Sequence, residues 1–119
     1  MTPKRILIAE DQMVTREALS SLFTKRGYDV EAVTNGTDLL AIATDKKFDV
    51  VITDLIMPSL NGVSATDIMN LHGNTTPVIA LTGLSQQDIS FAQEKFTKIF
   101  HKPINLTKLF DYVESLLGK

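Results

Sequence analysis

Apolar residues fall along this chain in short continuous runs, each followed by apolar positions at helical spacing, and the pair of patterns repeats five times. The runs cover residues 5–10, 29–34, 50–54, 77–81 and 97–101. The third, Val50-Val51-Ile52-Thr53, is β-branched throughout and ends in a lone carboxylate, Asp54. A continuous run of this kind predicts a parallel strand buried on both faces. Met57-Pro58 stops the third strand, because proline has no N–H for a ladder and holds its predecessor extended. Asn61-Gly62 then supplies a turn and a helix start. Helical spacing follows in Met13, Val14, Ala18, Leu19, Leu22 and Phe23, with Gly27 as a left-handed cap. It returns in Leu39, Leu40, Ile42 and Ala43, over residues 63–71 and 85–95, and in Leu106, Leu109, Phe110, Val113, Leu116 and Leu117.

Alternating strands and helices imply a parallel sheet with right-handed crossovers and helices on both faces. Every strand then ends at the same edge, where such sheets place ligands. The first, third, fourth and fifth strands bring Glu10-Asp11, Asp54, Thr82 and Lys102 to it; the second ends in Thr34-Asn35 and brings no charge. Each residue has a plainer reading. Glu10 and Asp11 could cap the first helix, Asp54 could be a turn or cap residue, and Thr82 could cap the helix over 85–95. Two adjacent acids exceed what capping needs, however, and point to a cation. Gly83 leaves room beside the Thr82 hydroxyl. Lys102, between a buried strand and Pro103, has little freedom to reach bulk water. Asp54 is expected to keep its oxygens free at the strand tip. His101 is expected to be a strand residue with no site role, and His72 a dipole partner at a helix end.

Composition narrows the function classes. The chain has 119 residues, 44% of them hydrophobic and 22% charged, enough for one domain with one core. A net charge of −2 argues against a nucleic-acid surface. No run is long enough for a signal peptide or a membrane span, and the absence of cysteine suits a reducing compartment. The absence of cysteine, and of ligand spacing at either histidine, argues against zinc. Carboxylate oxygens at the rim suit Mg²⁺.

Several of these pieces together resemble the receiver domains of two-component response regulators. They are Ile6-Leu7-Ile8-Ala9-Glu10-Asp11, Arg16, Gly27-Tyr28-Asp29-Val30, Asn35-Gly36, Asp54 with Met57-Pro58 and Gly62, Ile79-Ala80-Leu81-Thr82-Gly83, and Lys102-Pro103. The resemblance runs nearly end to end and implies one receiver domain over residues 1–119. It implies the α/β flavodoxin-like fold, a doubly wound five-stranded parallel sheet of order 2-1-3-4-5 with five helices. Asp54 would be the phosphoacceptor, modified to 4-aspartylphosphate. Mg²⁺ would be held by Asp11, Asp54 and the backbone carbonyl of Ile56, with Glu10 acting through water. Lys102 and Thr82 would meet the phosphoryl oxygens, and the peptide bond between Lys102 and Pro103 would be cis. The implied partners are a histidine kinase or histidine phosphotransfer domain and a downstream protein target, in the cytoplasm, with no nucleic acid or membrane bound by the domain. It would catalyse only its own phosphorylation and dephosphorylation.

Some positions depart from the family pattern. The switch position three residues before the lysine, commonly aromatic, is Ile99, and Phe100 follows where an aliphatic residue is usual. A β-branched side chain is stiff at its first torsion and cannot report the movement of Thr82 as an aromatic does. Ile99 is expected on the face between the last two helices. Ile56 and Leu84, which line the site, are both aliphatic. The alternative reading is a degenerate receiver that acts only as a protein–protein interaction module; the intact acids, Thr82 and Lys102 argue against it. An aspartate-nucleophile phosphatase would want a second Asp where Ile56 stands. A flavin protein would want a hydroxyl-rich loop in place of Glu10-Asp11-Gln12. An initial Met and an end just past the last helix fit a stand-alone regulator, although a receiver within a hybrid kinase or a larger regulator has the same extent.

Overall fold

The computed structural model describes residues 2–71 and 73–118; His72 lies outside them. In chain order they form β1 (Arg5–Ala9), α1 (Met13–Lys25), β2 (Asp29–Val33), α2 (Gly36–Asp45), β3 (Val50–Asp54), α3 (Gly62–Leu71) and β4 (Val78–Thr82). Then come α4 (Gln86–Ile89), a 3₁₀ segment (Ser90–Lys95), β5 (Lys98–His101) and α5 (Leu106–Leu116). The strands make one parallel sheet in the order β2-β1-β3-β4-β5.

Successive side chains of a strand point to opposite faces, and the core is divided accordingly. Ile6, Ile8, Val50, Ile52, Ile79 and Leu81 pack with Leu19 and Phe23 of α1 and with Leu109 and Val113 of α5. Leu7, Ala9, Val51, Val78 and Ala80 pack with Leu39 and Ala43 of α2, Ala65 and Met69 of α3, and Ile89 and Ala92. The central strands are therefore apolar on both sides, and each fully buried Leu or Ile stabilises the fold by about 1.5–3 kcal/mol. The edge strands β2 and β5 are only partly buried.

Asn35, Ser85 and Asn105 cap α2, α4 and α5, each accepting from the backbone N–H three residues on. Asn61 does the same at the start of α3, accepting from Ser64 N–H at 2.9 Å. Gly27 closes α1 with φ at 101°. The single helix expected over 85–95 is instead one turn of α-helix running into a 3₁₀ segment. At the junction the Ser90 N–H and hydroxyl both donate to the Gln87 carbonyl three residues back, the 3₁₀ spacing, the hydroxyl at 3.0 Å. No described helix is long and apolar enough to cross a membrane.

Candidate functional site

Strand register assembles the site. Ala9 pairs with Thr53, Asp54 with Leu81 and Thr82 with His101. The residues just past β1 and β5, Glu10 and Lys102, therefore flank the tip of β3. Asp54 is 5% exposed and Glu10 fully buried, whereas Asp11 is exposed. One carboxylate oxygen from each of Glu10, Asp11 and Asp54 lies within 4.8 Å of the others.

None of the acids caps a helix. The residue before α1 is Gln12, whose side chain makes no capping bond, and the first turn of α1 carries no acid. Thr82 caps nothing either: α4 is capped by Ser85, and the fully buried Thr82 hydroxyl accepts from Leu84 N–H at 3.0 Å. The plainer readings of Glu10, Asp11 and Thr82 thus fail.

The oxygens of Asp54 are not free, contrary to the expectation from sequence. Lys102 Nζ donates to Oδ2 at 2.5 Å and Ile56 N–H to Oδ1 at 3.1 Å. Lys102 Nζ also donates to Glu10 Oε1 at 3.1 Å. The ammonium thus answers the repulsion between the two buried acids. Burial, then the neighbouring Asp54 carboxylate, push the Glu10 carboxyl up to about 7, and Lys102 opposes the rise. Burial alone would lower the Lys102 ammonium; its bonds to Asp54 and Glu10 outweigh that and raise it above the ordinary lysine value. The bond between Lys102 and Pro103 is cis, as the resemblance implies.

The backbone around Asp54 is held from beneath. Thr53 Oγ1 donates to the Asp54 carbonyl at 2.8 Å, and Gly62 N–H donates to the Leu55 carbonyl at 3.0 Å. A Cβ on Gly62 would stand 2.4 Å from the Asp54 carbonyl oxygen, so only glycine fits there. Arg16 Nη1 donates to the carbonyls of Glu10 at 3.0 Å and Asp11 at 3.3 Å, fixing the loop that carries both acids.

Ile56 is largely exposed and Leu84 half-buried. Ile99 packs against the core shared by α2, α3 and the 3₁₀ segment, on the opposite side of the sheet from α5. It is therefore not between the last two helices; Phe100 takes the α5 side, its ring 5.9 Å from that of Tyr112. His101, expected to have no site role, contacts the loop that follows β4. Its Nδ1 lies 2.9 Å from the Leu84 carbonyl oxygen and its Nε2 3.1 Å from Gln86 Oε1. The sequence shows only its place one residue before Lys102; its place opposite Thr82 comes from the pairing of β4 and β5.

An all-oxygen donor set with three carboxylates against one ammonium suits a hard divalent cation. One oxygen from each of the three acids lies within 4.8 Å of the others, close enough for all three to face a single ion, directly or through a bound water.

The family model described as the response regulator receiver domain matches residues 6–114. The chain is 38% identical to protein PilH of Pseudomonas aeruginosa over 85 residues, covering 70% of each. It is 33% identical to transcription factor SKN7 of Saccharomyces cerevisiae over 100 residues, 82% of this chain but only 16% of that protein. Among solved structures, response regulator protein TrrA of Thermotoga maritima, in complex with Mg²⁺ and BeF, superposes with a TM-score of 0.85 at 26% identity, covering 95% of this chain and 98% of that one.

Proposed function

This chain belongs to the response regulator receiver domains, and from that premise we propose that it accepts a phosphoryl group on Asp54. The donor is the phosphohistidine of a histidine kinase or histidine phosphotransfer domain, or a small acyl phosphate. The observation that carries the proposal is a buried carboxylate at the tip of β3, flanked by two more acids and ion-paired to Lys102.

An Asp54 oxygen attacks phosphorus and an oxygen–phosphorus bond forms; the donor's bond breaks, phosphorus–nitrogen with the electron pair left on histidine, or phosphorus–oxygen with it left on the released carboxylate of an acyl phosphate. Lys102 exchanges part of its contact with Asp54 for a phosphoryl oxygen, so positive charge is already in place when the anion arrives. Thr82 Oγ1 accepts from Leu84, which leaves its own hydrogen to donate to another phosphoryl oxygen. Asp11, Asp54 and the Ile56 carbonyl would hold Mg²⁺, with Glu10 acting through water, and the bound ion supplies charge neutralisation at the phosphoryl oxygens. Once phosphorylated, Asp54 draws Thr82 and Lys102 inward and biases the surface of the last two strand–helix units toward a downstream protein target. The chain acts on itself rather than on a released substrate, in the cytoplasm, a setting consistent with its lack of cysteine.

The test is the intact mass of the protein after incubation with Mg²⁺ and acetyl phosphate. One phosphoryl group should be gained, and Asp54→Asn should gain none. A gain that persists in Asp54→Asn moves the acceptor elsewhere.

A further inference from the structure

The loop from β4 to α4 is held by polar bonds rather than by packing. Gly83, Ser85 and Gln86 are exposed, and a Cβ on Gly83 would meet nothing within 4 Å. Leu84, in the middle, has both backbone polar groups engaged. Its N–H donates to Thr82 Oγ1 at 3.0 Å, and its carbonyl oxygen lies 2.9 Å from His101 Nδ1. A carbonyl can only accept, so Nδ1 carries a hydrogen. The other ring nitrogen faces the Gln86 amide at 3.1 Å, which can turn either its oxygen or its NH₂ toward the ring. The circuit closes through the sheet: His101 pairs with Thr82, and Lys102 N–H donates to the Thr82 carbonyl at 2.7 Å.

We propose that His101 is a positioning residue for Thr82, holding the Leu84 carbonyl so that Leu84 N–H keeps the Thr82 hydroxyl aimed. Its consequence for signalling rests on the reading above, in which Thr82 meets the phosphoryl group. A Thr82 hydroxyl drawn toward that anion takes Leu84 with it, and Leu84 pulls on His101 and, through Gln86, on α4. This polar route reaches the exposed end of β5 without an aromatic residue at position 99. Ile99 lies on the same face of β5 as His101, beside a groove of about 260 Å³ that also borders Gln86 and Phe96.

The first measurement uses the whole unphosphorylated chain with no phosphodonor: hydrogen exchange of the Leu84 amide by NMR, with thermal unfolding alongside. A single partly exposed hydrogen bond predicts a loss of Leu84 protection of about three- to tenfold in His101→Ala. His101→Asn, whose Nδ2 stands where Nδ1 stood, should restore it. Unchanged Leu84 exchange in His101→Ala, or faster exchange throughout the sheet that Asn does not rescue, overturns the proposal.

The second measurement is a double-mutant cycle on phosphorylation rate with acetyl phosphate and Mg²⁺. Thr82→Ala should cost several-fold less in the His101→Ala background than alone, whereas equal costs would overturn the positioning role. The two readings fail separately. If the wild-type chain gains no phosphoryl group on Asp54, the proposed function falls, and the exchange measurement still decides whether His101 holds Leu84.

Discussion

Lys102 Nζ stands 2.5 Å from Asp54 Oδ2, although 48 residues separate the two in the chain. The same ammonium reaches Glu10, and together they make a buried cluster in which one cation answers two acids. Removing the cation should therefore cost more than removing an exposed lysine. We expect Lys102→Met to destabilise the metal-free protein by about 2 kcal/mol, below the usual 3–5 for breaking a buried pair because the Lys102 side chain is 25% exposed. Mg²⁺ should recover more stability in the variant than in the wild type. Urea midpoints with and without Mg²⁺ check both, and equal recovery would argue against the acids as the cation site.

The loop after β3 leans on the start of α2. A Cβ on Gly36 would stand 1.6 Å from the Leu60 carbonyl oxygen and 2.4 Å from its carbon, and neither backbone atom can move aside cheaply. Gly36→Ala should cost about 3 kcal/mol. Ser59, at φ 67°, bonds Thr37 across the same contact at 2.8 Å. Ser59→Ala should cost only about 1 kcal/mol, since its site is open to water. Thermal melts of both variants rank the two effects, and a Gly36→Ala protein as stable as the wild type would mean that the loops do not meet this closely.

Phosphoryl lifetime should depend on Ile56 and Leu84. Loss of the group needs a water in line with the oxygen–phosphorus bond, and aliphatic side chains cannot orient one. The double variant Ile56→Asn with Leu84→Glu should lose phosphate several-fold faster than the wild type. Following the phosphorylated mass over time tests this; an unchanged or slower decay would remove shielding as the reason for a long lifetime.

Far from the site, the buried Tyr28 hydroxyl donates to the Glu114 carboxylate, which Arg26 also engages at 2.9 Å. Burial, then Glu114, raise the Tyr28 phenol above its ordinary value, with Arg26 opposing. The folded state thus holds this proton more tightly than the unfolded chain. The resulting stability is fully present below the ordinary tyrosine value of about 10 and is lost as pH rises above it. Denaturant midpoints across the alkaline range should fall more steeply for the wild type than for Tyr28→Phe. Parallel slopes would show that Tyr28 contributes nothing to the alkaline loss.

The amino-acid sequence by itself determined the sheet and its chemistry. Runs such as Ile6-Leu7-Ile8-Ala9 and Val50-Val51-Ile52 are legible because a strand buried on both faces must be apolar at every position. The acids, Thr82 and Lys102 are legible because each interrupts or ends such a run, and parallel strands end at one edge. Tertiary structure decided how those groups meet. That Lys102 occupies both Glu10 and Asp54 follows from the register of β1, β3, β4 and β5, which no local pattern records. Ile99 and Phe100 exchange no sign of sidedness in the sequence, since both are apolar; the pleat alone sends one toward the 3₁₀ segment and the other toward α5. The split of the expected 85–95 helix falls at Ser90, whose N–H and hydroxyl both bond the Gln87 carbonyl three residues back. His101 looked idle because a histidine on an exposed strand edge has no local partner. Its partners, Leu84 and Gln86, are brought to it only when β4 and β5 pair, and a hydrogen bond exists only between groups that the fold has placed within reach.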